Sequence, residues 1–226
     1  MNNKEKRMKN TQIKAFTLAE TLVTLMIIGV IAAMTIPGLQ KTSEERTVPP
    51  KVLKAYNTVS TATKELRAEY GPIKLWPFNN VTKLMDEMYI PKFNVTKNCK
   101  TDGGCYKAGY QPKSLNGENN NDFQNGSGWY TFVTADGMYW AVGGGNGTCS
   151  YTEGTYIKKG CIHFEVDVNG PKDPNMLGVD IFGFEVTPDG VYPFGGCPGC
   201  DTSSCSSSGN GWGCTARIIK EGKISW

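Results

Sequence analysis

Three periods of apolar and polar residues divide this chain. From Phe16 to Ile36 there are 21 residues with a single charge, Glu20. As a helix this stretch would be roughly 31 Å long, about the thickness of a bilayer's hydrocarbon core. Residues 40 to 50, "QKTSEERTVPP", are polar and end in two prolines; they read as a linker or a distorted helical stretch. Val52, Tyr56, Val59, Thr63, Leu66 and Tyr70 then recur every three to four residues, which predicts an amphipathic helix stopped by Gly71-Pro72.

Further on the period becomes two. "GWYTFVTADGMYWAVGGG" predicts a hairpin with Asp136-Gly137 at its turn, and "DIFGFEVTPDGVYPF" predicts another around Asp189-Gly190. "CIHFEVDVNG" predicts a strand, and "CTARIIKEGKISW" a short helix followed by a closing strand. Successive hairpins give antiparallel strands, and a helix laid on one face of such a sheet gives an α+β domain. "SLNGENNNDFQNGSG" (114–128) reads as a long, exposed polar loop.

Charge sharpens the picture at the start of the chain. Of 24 Lys and Arg residues, five (Lys4, Lys6, Arg7, Lys9, Lys14) stand in the first fifteen positions against Glu5 alone. They predict a cytoplasmic N-terminus with the bulk of the chain across the membrane. The remainder has 19 cations and 20 anions, so nothing in it indicates nucleic-acid binding. An ordinary secretory signal places a small-residue cleavage site after the apolar run. Here the small residue, Ala15, precedes it, so cleavage there would leave the apolar helix attached.

These residues, "AFTLAETLVTLMIIGVIAAMTIPG", resemble the leader and N-terminal helix of type IV pilins and type II secretion pseudopilins. The resemblance implies a long N-terminal helix, its membrane half and amphipathic half, packed on an antiparallel sheet with disulfide-bonded C-terminal loops. It implies a leader over 1–15, a transmembrane and assembly helix over 16–38, a linker and amphipathic helix over 39–71, and an extracytoplasmic domain over 72–226. It further implies cleavage by prepilin peptidase between Ala15 and Phe16, with Ala15 standing where Gly is usual, and N-methylation of Phe16. Glu20, Gly29 and Pro37 match positions used in filament assembly. The implied partners are the peptidase, other pilin or pseudopilin subunits and an inner-membrane assembly platform. The implied location is the bacterial cytoplasmic membrane, crossed once, and then a filament in the periplasm or at the cell surface. An acid inside a membrane span is expensive and calls for a partner or a function. The α-amino group freed at Phe16 is one answer for Glu20, and snorkelling to the interface is another.

The eight cysteines (Cys99, Cys105, Cys149, Cys161, Cys197, Cys200, Cys205 and Cys214) all lie downstream, an even number that reads as disulfides formed outside the cytoplasm. Four of them fall within "CPGCDTSSCSSSGNGWGC", where a zinc site or a redox C-x-x-C is the competing reading. Asp167, Asn169, Asp173, Asp180 and Asp189 are oxygen-bearing residues that could hold calcium, and "GVDIFGF" is similar to a segment next to the calcium loop of major pseudopilins; their other reading is as turn residues. No cofactor other than calcium is indicated. His163, the single histidine, has no nucleophile motif around it and reads as a packed residue. The Asn-x-Ser/Thr tripeptides at Asn80, Asn94, Asn125 and Asn146 read as chance.

The function expected is therefore a non-enzymatic filament subunit serving type II secretion. The alternatives are a minor type IV pilus subunit for adhesion or DNA uptake, and a membrane-tethered binder of calcium or carbohydrate using Trp129, Tyr130, Tyr139 and Trp140. A thiol-disulfide enzyme is a third class, requiring reactive thiols at Cys197 or Cys200.

Overall fold

The computed structural model describes residues 17–120 and 128–226, apart from the side chains of 36–45. It divides into two compact units, Met1–Ser43 and Glu44–Trp226. The first helix, α1 (Leu18–Tyr70), includes the stretch read above as a linker, residues 40 to 50. Its backbone is helical through Pro37, Pro49 and Pro50, although proline brings no N–H to the helical ladder. Gly71, at φ 81°, ends it.

In the first unit, Leu18–Thr35 is long and apolar enough to cross a membrane. Its large side chains are uncovered; Leu18, Met26 and Met34 are all more than 70% exposed. Its hydroxyls are satisfied internally. Thr21 Oγ1 donates to the Leu18 carbonyl at 2.8 Å, Thr24 Oγ1 to Thr21 at 2.9 Å, and Thr35 Oγ1 to Ile31 at 2.9 Å. A helix whose backbone and hydroxyls are both bonded within itself brings no unmet polar group into hydrocarbon.

In the second unit, the remaining part of α1 buries Val48, Val52, Ala55, Val59, Ala62 and Leu66, each at most 3% exposed. The three-to-four spacing is as predicted, but the stripe is rotated slightly. Tyr56 is half-buried and packs at the edge, and Tyr70 is exposed because the helix ends beside it. Thr63, on the buried face, shares a 2.9 Å hydrogen bond with the hydroxyl of Tyr89. The chain then passes through a short helix, α2 (Val81–Leu84), and a π-turn, Met85–Tyr89.

Six strands follow: β1 (Val95–Lys100), β2 (Tyr130–Thr134), β3 (Tyr139–Gly143), β6 (Ile162–Asp167), β7 (Ile181–Thr187) and β8 (Gly190–Pro193). They pair in that order as one antiparallel sheet. A small hairpin, β4 (Tyr151–Glu153) and β5 (Ile157–Gly160), stands apart. Both hairpins predicted from the period of two are present.

The register sorts the side chains onto two faces. Phe132, Trp140, Val166 and Phe182 are successive cross-strand partners, as are Tyr130, Val142, Phe164 and Phe184. All eight are essentially buried and share one apolar cluster with the α1 stripe. The intervening residues form a second face, covered by Tyr106, Tyr156, Phe194 and Trp212.

Two expectations are corrected. The C-terminal helix forms as α3 (Cys214–Glu221), but no strand closes the chain. Gly222, at φ 68°, turns the backbone away, and the Trp226 indole N–H instead donates to the Gly178 carbonyl at 3.0 Å. The described part of the polar loop is not exposed throughout. Ser114 and Asn120 are buried and main-chain bonds to Pro112, Glu118 and Asn210 hold this segment, while residues 121–127 lie outside the described residues.

Replacing Leu66 with Ala should cost about 2–5 kcal/mol in a denaturant titration of the full chain, because the side chain is fully enclosed. Replacing Leu53, 47% exposed on the opposite side of α1, should stay within about 0.5 kcal/mol. Equal losses would contradict this assignment of faces.

Candidate functional site

At the start of α1, Glu20 is answered within its own helix. Thr17 stands just before the first helical residue, and its backbone N–H and its hydroxyl both donate to Glu20 Oε2 at 2.8 Å. The Glu20 N–H reaches back to Thr17 Oγ1 at 3.3 Å. This is a capping box: an acid three residues past the cap satisfies the free N–H groups of the first turn, where the helix dipole also favours negative charge. T-x-x-E was readable in the sequence, but the apolar run around it drew attention to the charge alone. Ala15 and Phe16 lie outside the described residues. Gly29 is inside the helix with open space where a Cβ would stand, and Pro37 is placed by its backbone only.

All eight cysteines are paired with their sequence neighbours: Cys99–Cys105, Cys149–Cys161, Cys197–Cys200 and Cys205–Cys214. Paired sulfurs are not thiolate ligands, so the four-thiolate zinc reading is withdrawn. The bridges close short loops, and three of them belong to the segments around the second sheet face.

That face carries most of the buried polar chemistry. His163, Glu165 and Asp167 alternate along β6, and Glu185 is the register partner of His163 on β7. All four are at most 3% exposed. His163 lies between Tyr151, with ring centroids 4.6 Å apart, and Phe194 at 5.5 Å. Its ring also rests on Gly144, where a Cβ would come within 2.6 Å of Nδ1. Burial lowers its pKa to about 3, so the ring is neutral. A cavity of about 100 Å³ beside it is lined by Trp129, Tyr151, Tyr156, Glu165, Phe194 and Trp212. Burial likewise pushes Glu185 up to about 8, despite a backbone N–H of Lys158 that favours the charged form.

The acidic segment is gathered in part. Asp180 accepts from Asn169 Nδ2 at 3.0 Å and from the backbone N–H groups of Asn175 and Met176 at 2.9 and 2.6 Å. Asp167 accepts from the Tyr110 hydroxyl at 2.7 Å and from the Asn169 N–H at 3.1 Å. Asp173 accepts from Asn175 Nδ2 at 2.9 Å. Burial, and then the charge of Asp180, raises the Asp167 pKa well above the usual carboxylate range. The amide oxygens of Asn169 and Asn175 are buried without a hydrogen-bond partner, so the donor set is rich in oxygen and suits a hard cation. Asp189 is not part of the group. It sits on the β7–β8 turn, where its N–H donates to Thr187 Oγ1 at 3.2 Å. The aromatic binding surface is also corrected: Tyr130 and Trp140 are buried in the core and cannot meet a ligand, because the register turns them toward α1.

Over 109 residues the chain is 28% identical to the type IV major pilin protein PilE of Neisseria gonorrhoeae, covering 48% of this chain and 63% of that protein. Helix, sheet and relative agree. The fold is type IV pilin-like. No family model matches the chain, and no solved structure does. A single-pass anchor fits the uncovered apolar part of α1.

Glu185 and Glu165 carry no local signal of their burial in the sequence. In "FGFEV" the acid alternates with phenylalanines and so reads as the solvent side of a strand; only the distant loops reveal that this side is also covered. The fold favours neutral Glu185, so its contribution to stability should be complete below pH 4.5 and be lost as the pH rises toward about 8. Neutral His163 works in the opposite sense: its contribution is present above pH 6.5 and is lost as the pH falls toward about 3. Thermal unfolding of Glu185→Gln between pH 5 and 8 should therefore be flatter with pH than that of the wild type; parallel curves would contradict it.

Proposed function

We propose that this pilin-like chain is the structural subunit of a filament, held in the cytoplasmic membrane by the first part of α1 until it assembles. The observation that carries this reading is the uncovered apolar surface of Leu18–Thr35, together with one capped acid at its beginning. Packing against copies of the same helix would replace lipid contact. An interface that joins unlike surfaces of successive subunits, and does not close on itself, grows as an open filament.

Prepilin peptidase would cut between Ala15 and Phe16 and methylate Phe16. Glu20 would then meet the new α-amino group of a neighbouring subunit, with Gly29 and Pro37 allowing the helices to adjust on packing. Two settings remain in play. The likeness to a major pilin supports a pilus, and the "GVDIFGF" segment supports a type II secretion pseudopilus. In either, the chain would act without catalysing a reaction, with other subunits and an inner-membrane platform as partners. Asp167, Asn169, Asp173 and Asp180 would hold calcium, ordering the loop before β7.

Intact mass spectrometry of protein from cells that have the peptidase should show a chain beginning at N-methylated Phe16, and an uncut chain would end the filament proposal. Glu20→Ala should still insert in the membrane yet form no filaments; normal filaments would leave Glu20 as a helix cap only. Millimolar calcium added after chelation should raise the unfolding temperature, and Asp180→Asn should abolish the rise. No shift in the wild type would remove calcium from the account.

A further inference from the structure

The Cys197–Cys200 bridge differs from the other three in what lies against it. An oxygen of Glu185 and the two sulfur atoms lie within 4.8 Å of one another, and among the described residues this is the one group of that kind. Cys197 is 5% exposed, whereas Cys200 is half-buried next to exposed Pro198 and Gly199. Cys200 is therefore the more accessible residue of the pair, and both sulfurs lie near the strand that carries the acid. Lys158 Nζ donates to the Gly199 carbonyl and places a cation on the same turn. The position that a Cβ on Gly160 would occupy is 3.3 Å from Glu185 Oε2 and 3.3 Å from His163 Nε2, so a glycine there leaves the acid uncrowded.

We propose that Cys197–Cys200 is a thiol–disulfide exchange site, in which Glu185 supplies and receives the proton of the Cys197 thiol. The reductant is a dithiol, either a small molecule or a protein with an accessible thiol pair. Its thiolate attacks the sulfur of Cys200, the more accessible residue of the pair; the Cys197–Cys200 bond breaks, and Cys197 leaves as a thiolate. The neutral Glu185 carboxyl protonates that thiolate and is reprotonated from solvent by the proton the reductant gave up. The reductant's second thiolate then attacks the mixed disulfide and releases Cys200, which takes a proton from solvent. The net change is one protein disulfide reduced to two thiols and one reductant dithiol oxidised to a disulfide. Run backwards, Glu185 takes the proton of Cys197.

The surroundings of Glu185 keep the proton available. His163 opposes it on β6, Tyr192 opposes it on β8, and the Lys158 backbone N–H approaches from β5. His163 is held neutral by burial, so no cation on the neighbouring strand fixes Glu185 in its charged form. A neutral acid near physiological pH beside a thiolate leaving group is the arrangement that speeds exchange, because a leaving thiolate that is protonated cannot attack back. The proposal concerns the chemistry of one loop and does not depend on filament assembly.

The test uses the full chain in detergent micelles, with graded dithiothreitol, quenching by alkylation and site-resolved mass spectrometry. Cys197 and Cys200 should be labelled before the other six cysteines. Their rate of opening, divided by the concentration of reductant thiolate, should be level below pH 8 and fall above it as Glu185 ionises. Glu185→Gln should lower this corrected rate at pH 7 by about tenfold and remove the fall. Glu185→Asp should restore part of both. If Glu185→Gln does not fold, the wild-type profile decides alone. A flat wild-type profile, an unchanged rate in Glu185→Gln, or another bridge opening first would overturn the proposal.

Discussion

The central sheet must be covered on both sides, and the two covers are made differently. Toward α1 the requirement is met mainly by packing: Phe132, Trp140, Phe164, Phe182 and Phe184 meet a stripe of Val, Ala and Leu, and Thr63 pairs with Tyr89 and the Trp140 indole N–H with Thr134. An antiparallel sheet commonly leaves its other face to water. Here that face lies under loops with little regular structure. The loops bring few apolar residues and many backbone polar groups, so they need other means of staying in place. Short disulfides, the aromatic group of Tyr156, Phe194 and Trp212, and the acceptor oxygens of Asp180 supply them.

Such a cover explains why acids are buried. Glu165, Asp167 and Glu185 occupy alternate positions that would be solvated on an open sheet. Once loops close over them, burial favours the neutral forms of Asp167 and Glu185, and the fold becomes sensitive to pH. Gly183 makes close packing here concrete. A Cβ on it would lie 2.2 Å from the Phe194 ring, so the ring lies against bare backbone, and the Phe194 N–H donates to the Gly183 carbonyl at 3.0 Å. The segment after β8 is thereby placed over the strand that carries Glu185, two residues further on.

Legibility in the sequence followed the range of the interactions. The apolar run, the amphipathic stripe and both hairpins rest on neighbours within a few residues, and period and turn residues disclosed them. The reading of Val52, Val59 and Leu66 as buried held; Tyr70 was misplaced because an end effect at Gly71 is not periodic. Asp180 was singled out for its side-chain chemistry, and its grouping with Asp167 and Asn169 followed from their closeness in sequence. Glu185 could not be read. Its burial is produced by Cys197 to Cys200 and by the β4–β5 hairpin, segments whose placement depends on tertiary structure and not on local spacing. Asp189 failed for the same reason in reverse: close in sequence to Asp180, it is carried off along β7 to the far turn.

The acid at the start of α1 differs in kind from the buried acids of the sheet. It is the fourth residue of T-x-x-E, and its carboxylate accepts from the very N–H and hydroxyl that a helix start leaves unmet. A role in assembly therefore does not require Glu20 to be an unpaired charge waiting for a cation. Both bonds use Oε2 alone, and a carboxylate has four acceptor positions in all. The capping box fixes the side chain's direction and can keep these bonds while a second donor approaches. A fixed acceptor loses less entropy on binding than a free one. Thr17 thus holds Glu20 in place, and any cation it meets gains from a carboxylate already oriented.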